Sequence, residues 1–214
     1  MSRRRAISGK KTRLPSEYQE VEYIEGTGTQ YIATNFRVNS NNNDKIRLYV
    51  DEMLVQYGSW QLTGSSLDGQ NAIYVGITNK FVYYGVGNDK VVKEIGDTEY
   101  AKRYVYDLDI KHSTYKVLDY EDNNYIVSLT TLSKDLGNFT LGGLELWFMG
   151  YSGESRLHLS KLFSGKIYEN DILQRDFVPC YRKSDGEIGM YDIVNGVFYT
   201  NAGSGTFLKG ADVN

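Results

Sequence analysis

Short runs of alternating apolar and polar residues, separated by turn-forming residues, dominate the chain. The clearest are residues 45–50 and 103–110, in which every second position is apolar. A period of two is typical of a half-buried β-strand, because successive side chains point to opposite faces. We therefore predict that Ile46, Leu48 and Val50 face a core on one strand. On the other strand, the core-facing residues are Tyr104, Tyr106, Leu108 and Ile110.

The same reasoning predicts about a dozen strands in all, and regular spacing of this kind favours an antiparallel sandwich or barrel. No stretch sustains a helical period over three turns, although residues 133–136 could form a brief helical turn. The further strands are predicted at residues 21–24, 30–34, 72–77, 80–86, 91–95, 115–120, 125–129, 144–149, 167–168, 172–178 and 188–193.

One turn has a strong hairpin signature. Asn195-Gly196 lies between two apolar runs, and this dipeptide favours a two-residue turn in which both residues have positive φ. The alternation also predicts the direction of three aromatic side chains. Trp147 should face outward between inward-facing Leu146 and Phe148, and one of the neighbours Tyr83 and Tyr84 should face outward.

Two longer segments carry motifs near the two ends of the chain. Residues 174–207 read QRDFVPCYRKSDGEIGMYDIVNGVFYTNAGSGTF, and residues 14–32 read LPSEYQEVEYIEGTGTQYI. They resemble the C-terminal signature and the opening of a concanavalin A-like (laminin-G-like) jelly-roll family common in phages and prophages. The opening departs from that family's Asp-Thr-Gly at Ala33-Thr34-Asn35. The resemblance implies a jelly-roll fold and a phage context, and it specifies no reaction.

Bulk properties narrow the function classes. The 214-residue chain has one cysteine, Cys180, so it forms no intrachain disulfide. No apolar run approaches the roughly 18 residues that a membrane-spanning helix needs. One cysteine and two histidines, His112 and His158, do not make a zinc site. We expect Cys180 to be a small buried residue, His112 to be a polar turn residue and His158 to lie on an exposed face.

Charge is unevenly distributed along the chain. Six of the 24 lysines and arginines lie in residues 1–13, which contain no acidic residue, so the remainder carries 18 basic against 27 acidic residues. Residues 6–9 do not supply the apolar core of a signal peptide, which needs about 7 to 15 residues. This basic arm is either a solvated tail or a segment that docks by charge onto an acidic partner, and a protein assembly is favoured over nucleic acid as that partner. The proposed anchoring residues are Arg3, Arg4, Arg5, Lys10, Lys11 and Arg13.

Candidate catalytic and metal-binding residues are few. Laminarinase-type enzymes with a related fold use neighbouring carboxylates, but Asp107-Leu108-Asp109 is followed by His112 where a third carboxylate is needed. We predict no catalytic residues. Calcium, which takes six to eight oxygen ligands, is a possible cofactor at residues 119–124 or 41–44. Such clusters are also typical of solvated loop tips, and no metal ligands are assigned.

Aromatic residues suggest carbohydrate binding. Sugar sites combine apolar walls with a few directed polar groups, and the candidate residues are Trp60, Tyr57, Trp147 and Tyr151. The alternative is that these side chains fill a core, and tyrosine is also enriched at protein interfaces.

The sequence thus predicts an all-β protein, an antiparallel jelly-roll β-sandwich spanning residues 14–214 after a basic arm of residues 1–13. With the family resemblance, it favours a non-enzymatic virion surface component such as a head fibre, capsid decoration or tail-associated module. Its expected partners are other virion proteins, further copies of itself and host-surface glycan, with no membrane insertion and no nucleic acid. The alternatives are a bacterial glycan-binding adhesin module and a diverged laminarinase-type hydrolase.

Overall fold

The structure is a computed structural model that describes residues 13–55, 61–67, 70–78, 80–95, 102–136, 143–152 and 159–214. In these ranges the regular structure is entirely β-strand, so the predicted fold class is confirmed. The strands are β1 (Tyr18–Glu20), β2 (Ile24–Thr27), β3 (Ile32–Val38), β4 (Ile46–Leu54), β5 (Gln61–Leu67), β6 (Gln70–Ile77), β7 (Phe81–Gly87), β8 (Asp89–Glu94), β9 (Arg103–Asp109), β10 (Thr114–Asp119), β11 (Asn124–Leu129), β12 (Leu144–Phe148), β13 (Tyr151–Ser152), β14 (Leu159–Glu169), β15 (Ile172–Arg182), β16 (Ile188–Asp192), β17 (Val197–Thr200) and β18 (Leu208–Lys209).

The strands form two sheets that pack as a sandwich. The large sheet has the order β11-β10-β9-β4-β14-β15-β16-β17, with β1 beside β15, β2 beside β14 and β18 beside β2. The small sheet has the order β3-β12-β5-β6-β7-β8. Neighbouring strands are antiparallel except for β13, which runs parallel to β5. The described part of the chain has no helix long and apolar enough to cross a membrane.

Alternation along the strands builds the core between the sheets. On β4, Ile46, Leu48 and Val50 are completely buried, and the predicted inward residues of β9 are at most 3% exposed. Phe148 of the small sheet meets Phe177 of the large sheet edge-on, with ring centroids 5.3 Å apart. The predicted inward direction of these residues is therefore confirmed.

Two predicted elements differ from the structure. Residues 21–24 do not form one strand: β1 ends at Glu20, Val21 makes an isolated bridge to Asp212, and β2 begins at Ile24. Residues 133–136 are extended rather than helical, because Asp135 bridges to Gly87 and the Ser133 amide donates to the Tyr84 hydroxyl at 3.1 Å. Both departures come from contacts with distant strands, which local sequence does not encode.

The Asn195-Gly196 hairpin forms, but its turn is not the predicted one. Four residues, 193–196, connect β16 to β17, and only Gly196 has positive φ, at 68°. The side chain of buried Asp192 explains the difference. Its carboxylate accepts hydrogen bonds from the Val194 amide at 3.1 Å and from Asn195 Nδ2 at 2.7 Å. This side chain stabilises a longer turn, so Asn195 does not need a left-handed conformation.

The two motif segments lie next to each other in the fold. Strand β1 pairs with β15, and the Lys183 amide donates to the Glu17 carbonyl at 2.9 Å. Buried Gln30 accepts a 2.7 Å hydrogen bond from the Thr27 amide and donates to the Thr206 carbonyl at 3.2 Å. The motif residues Gln30 and Asp192 therefore have structural roles, as is expected of motifs that specify a fold.

Tyr83 and Tyr84 point to opposite faces of the small sheet, as alternation requires, yet both are buried. Tyr84 lies in the main core, and Tyr83 packs on the outer face with Ala72, Tyr74 and Phe81. Tyr83 is only 5% exposed. The prediction that one of these rings faces outward is confirmed, but neighbouring rings cover that ring, so it is not exposed to solvent.

Candidate functional site

An open cleft of about 580 Å³ lies on the outer face of the large sheet. This volume falls within the roughly 300–1,000 Å³ range that is typical of small-molecule sites. We call it the Arg103 cleft. Its floor comes from β4, β9 and β14, whose outward residues alternate with buried ones, and its rim comes from the N-terminal segment and the turn after β10. The polar and aromatic lining residues are Arg13, Glu20, Glu22, Tyr23, Arg103, Tyr120 and Phe163.

Arg103 occupies a rigid position in this cleft. Its Nε and Nη2 donate to the two carboxylate oxygens of Asp51, each at 2.6 Å. Its guanidinium carbon lies 3.7 Å from the ring centroids of both Tyr120 and Phe163. Two parallel hydrogen bonds and two stacked rings fix a planar guanidinium better than a single ion pair does. Nη1 has no hydrogen-bond partner within the described residues, and the Arg103 side chain is 19% exposed.

Asp51 also keeps Arg103 charged. Burial acts to lower the pKa of Arg103, but the hydrogen bonds and charge attraction from Asp51 together raise it above its ordinary value. The positive charge is therefore permanent and already balanced by a neighbouring carboxylate.

The aromatic surface continues across the sheet. The Phe163 ring meets Tyr23 edge-on at 5.3 Å, and Lys161 Nζ lies 4.4 Å from the Tyr23 centroid while hydrogen-bonding its hydroxyl at 3.2 Å. Tyr120, at the other end, is 49% exposed. Aromatic rings and two cations thus follow one another across this part of the sheet, and Tyr120 presents aromatic surface to solvent.

The opposite rim supplies hydrogen-bond acceptors. Arg13 Nη2 donates to Glu20 Oε1 at 2.9 Å, and the Arg13 side chain remains 53% exposed. The exposed Glu22 accepts a hydrogen bond from the Ala211 amide at 3.3 Å through Oε2. Two arginines and two glutamates therefore line the cleft, and Arg13 and Arg103 are each paired with a carboxylate, Glu20 and Asp51 respectively.

The two aspartates of the Asp107-Leu108-Asp109 candidate are held in an ion pair and in hydrogen bonds. Arg47 donates to both oxygens of Asp107 at 2.7 Å. The backbone amide and ring Nδ1 of His112 lie 2.9 Å from the two oxygens of Asp109. These two aspartates are engaged by a cation and by an imidazole. They are therefore not suited to serve as the acid–base pair that a glycosidase needs.

One lysine, Lys102, pairs with two aspartates of the acidic hairpin at residues 119–124. Lys102 Nζ lies 2.6 Å from Asp119 and 3.1 Å from Asp122. Burial acts to raise the pKa of Asp119, but its hydrogen bond with Lys102 lowers the pKa below the usual value. In the second candidate loop, Asn43 donates to the Leu136 carbonyl at 2.9 Å. Among the described residues, no group of three or more His, Cys, Asp or Glu could hold a metal ion.

Two residues of the predicted aromatic site, Trp147 and Tyr151, belong to strands of the small sheet. Trp147 stacks on Tyr31 with centroids 4.0 Å apart, and the Trp147 backbone pairs with Gly64 of β5. Gly64 also pairs with Tyr151, so the fold brings the backbones of these two predicted residues together. Trp60 and Tyr57 lie outside the described residues, and carbohydrate binding by these four residues stays a prediction.

Of the predicted anchoring residues, Arg13 is described, and it lines the Arg103 cleft. Arg3, Arg4, Arg5, Lys10 and Lys11 lie outside the described residues, as does His158 of the other candidates. Cys180 is completely buried, and burial raises the pKa of its thiol to about 12. Its predicted role as a packing residue is confirmed, and so is the turn position of His112.

Sequence reasoning did not identify Arg103, Tyr120 or Phe163. Alternation with buried Tyr104 and Leu162 places Arg103 and Phe163 on an outer face. Their meeting depends on β9 and β14 both pairing with β4, which the sequence does not show.

A scan against protein-family models finds no match for this chain, and a search of curated proteins finds no relative. The candidate site therefore depends on the geometry alone.

Proposed function

We propose that the protein is a non-enzymatic β-sandwich module of a phage virion surface and that it binds glycan on the host cell. The proposed glycan site is the Arg103 cleft. Its geometry is the observation that carries the binding proposal, and the phage setting is supported by the motif resemblance of residues 14–32 and 174–207.

The cleft has the composition of a sugar site. Aromatic rings offer faces to the C–H surface of a sugar, and fixed polar groups orient its hydroxyls. Exposed Tyr120 supplies such a ring, while Arg103 Nη1 and the rim glutamates supply donors and acceptors. Arg103 is held before a ligand arrives, which reduces the ordering cost of binding.

The contacts of the two cleft glutamates support binding without bond cleavage. Glu20 is paired with Arg13 at 2.9 Å, and Glu22 accepts a backbone hydrogen bond. A general acid needs a raised pKa and a general base needs access to water. The Arg13 guanidinium already occupies one oxygen of Glu20, so Glu20 fits a hydrogen-bond acceptor better than a catalytic group.

A glycan microarray probed with the full chain tests this proposal. We expect glycan binding that Tyr120→Ala reduces at least ten-fold and that Tyr125→Ala, on the exposed face of neighbouring β11, does not change. A parallel assay with β-glucans should show no release of reducing sugar. Binding unaffected by Tyr120→Ala would place the site elsewhere, and turnover of a polysaccharide would refute the non-enzymatic role.

The anchoring role of the basic arm has its own test. Deleting residues 2–12 removes five of the six basic residues and keeps Arg13 in the cleft. We expect this variant to retain glycan binding and to lose incorporation into particles. Unaltered incorporation would contradict anchoring by the arm.

A further inference from the structure

We infer that the ligand of the Arg103 cleft is a neutral pyranose with two adjacent free hydroxyls. These hydroxyls hydrogen-bond to Arg13 and Glu20, and the sugar ring lies against Tyr120. This inference rests on the proposed function and names the ligand class of the same site.

Charge balance argues for a neutral ligand. Each arginine of the cleft already has a carboxylate partner: Arg13 contacts Glu20 at 2.9 Å, and Arg103 contacts Asp51 at 2.6 Å. An anionic sugar would gain from the arginines but would be repelled by Glu20, Glu22 and Asp51. A cationic sugar would gain from these carboxylates but would be repelled by Arg13 and Arg103. A ligand without net charge avoids both penalties.

The hydrogen-bonding pattern argues for paired hydroxyls. A hydroxyl both donates and accepts. Arg13 offers only donors and Glu20 only acceptors, at hydrogen-bond separation from each other. Two neighbouring hydroxyls of a pyranose can therefore bridge this pair, one accepting from Arg13 and the other donating to Glu20. Both side chains retain exposed surface, 53% for Arg13 and 17% for Glu20.

The position of Tyr120 determines how the sugar ring is oriented in the cleft. One face of its ring is covered by the Arg103 guanidinium at 3.7 Å, and the side chain is still 49% exposed. A sugar ring can pack on the remaining surface, and Arg103 Nη1 supplies a further donor beside it. A nucleic-acid or phosphate ligand fits less well, because neither arginine has an uncompensated charge.

The substitutions Glu20→Gln and Arg13→Ala distinguish neutral, anionic and cationic glycans by whether each substitution weakens or strengthens binding. For a neutral diol, Glu20→Gln and Arg13→Ala should each weaken binding of an array-positive neutral glycan about ten-fold, since each removes a hydrogen bond to a charged group. For an anionic glycan, Glu20→Gln would strengthen binding. For a cationic glycan, Arg13→Ala would strengthen it. Either opposite-sign result overturns this inference and leaves glycan binding by the cleft intact.

Matched ligands and controls complete the experiment. Lactose and 3′-sialyllactose share a neutral core and differ by an added carboxylate-bearing sugar, so they serve as probes of charge. Any array-positive neutral glycan should lose binding when its adjacent hydroxyls are methylated, and its affinity should change less than two-fold between 50 and 500 mM salt, because screening acts on net charges. Retention of binding after methylation, or a preference for the sialylated probe, overturns the inference.

The exposed pair Arg182–Asp185, at 2.7 Å and outside the cleft, provides the control substitutions Arg182→Ala and Asp185→Asn. These should leave affinity unchanged. Surface ion pairs contribute at most about 1 kcal/mol, so all four variants should fold. If no glycan binds in a Tyr120-dependent manner, the proposed function fails together with this inference.

Discussion

Aromatic residues on the outer faces of the two sheets differ in exposure: Tyr74 and Tyr83 of the small sheet are buried, whereas Tyr120 beside the large sheet is exposed. On the small sheet, Tyr74 stands opposite Gly85 and Tyr83 stands opposite Gly76 across β6 and β7. A Cβ atom at Gly85 would lie 2.2 Å from the Tyr74 ring, so this ring lies flat over the glycine. Both tyrosines are only 5% exposed.

On the large sheet, rings stand against a guanidinium instead of a glycine. Tyr120 and Phe163 stack on Arg103, which Asp51 holds in place, and Tyr120 keeps half of its surface exposed. Glycine leaves room for a ring to cover the backbone, whereas a fixed cation keeps a ring beside an open cleft. The residue that a ring contacts therefore decides whether it stabilises the fold or is available to a ligand.

Removing a ring from the small sheet should affect stability most. Tyr74→Ala should lower the free energy of unfolding by about 3 kcal/mol, because a buried aromatic side chain is lost, and should leave glycan binding unchanged. Urea denaturation measures the first effect and titration the second. Tyr125→Ala, whose ring is 61% exposed, should change stability by less than about 0.5 kcal/mol. Equal losses of unfolding free energy in Tyr74→Ala and Tyr125→Ala would contradict the burial of Tyr74 on the outer face of the small sheet.

Asp51→Ala should damage both stability and binding. It leaves Arg103, 19% exposed, without its partner, which should cost about 2–3 kcal/mol of stability and also misplace the guanidinium. We expect chemical denaturation to show this loss and binding to fall at least ten-fold. Asp185→Ala breaks a similar two-bonded pair in solvent and should cost less than about 1 kcal/mol. A stable Asp51→Ala variant with full binding would show that Arg103 needs no positioning.

Gly85→Ala should destabilise the protein by about 1–3 kcal/mol, because the new methyl group displaces the Tyr74 ring. The cost should largely vanish when Tyr74 is already alanine, since both substitutions then act on the same contact. A double-mutant cycle by urea denaturation measures this coupling. Additive costs would mean that the ring does not cover the glycine.

A smaller effect concerns alkaline pH. Burial raises the pKa of Cys180 from 9.0 to about 12, so the folded protein holds this proton more tightly than the unfolded chain. The resulting stability is complete below pH 9 and is lost as pH rises towards 12. Tyr49, whose pKa burial raises to about 12, acts in the same direction above pH 10.

Cys180→Ala should therefore make the unfolding free energy fall less steeply between pH 9 and 11, as measured by urea denaturation at each pH. The Cys180 thiol of the native protein should also resist a thiol reagent at pH 8 and react after unfolding. An unchanged pH slope, or rapid modification of the native protein, would contradict the burial of this thiol.

The sequence predicts the fold well where the cause is local. Alternation identifies β4 and β9 and the direction of their core residues, because a period of two depends only on the pleat of each strand. Alternation does not predict the backbone conformation where contacts between residues far apart in sequence determine it. Residues 133–136 are extended because they meet Gly87 and Tyr84, and Asn195 adopts its turn because Asp192 accepts its side-chain hydrogen bond.

The Arg103 cleft shows the same limit. Arg103, Tyr120 and Phe163 are ordinary outward residues in sequence, and only the pairing of β9 and β14 with β4 brings their strands together. The sequence instead singled out tryptophans, which are conspicuous as residue types. One of them, Trp147, has a ring face occupied by Tyr31.

The most direct test of the account compares one ring from each face. Isothermal titration of the neutral glycan with the strongest array signal should be carried out on the unsubstituted protein, Tyr120→Ala and Trp147→Ala, at a temperature where all three are folded. We predict that Tyr120→Ala weakens binding at least ten-fold and that Trp147→Ala leaves it within two-fold. Loss of binding in Trp147→Ala with full binding in Tyr120→Ala would place the site on the small sheet and contradict the central claim.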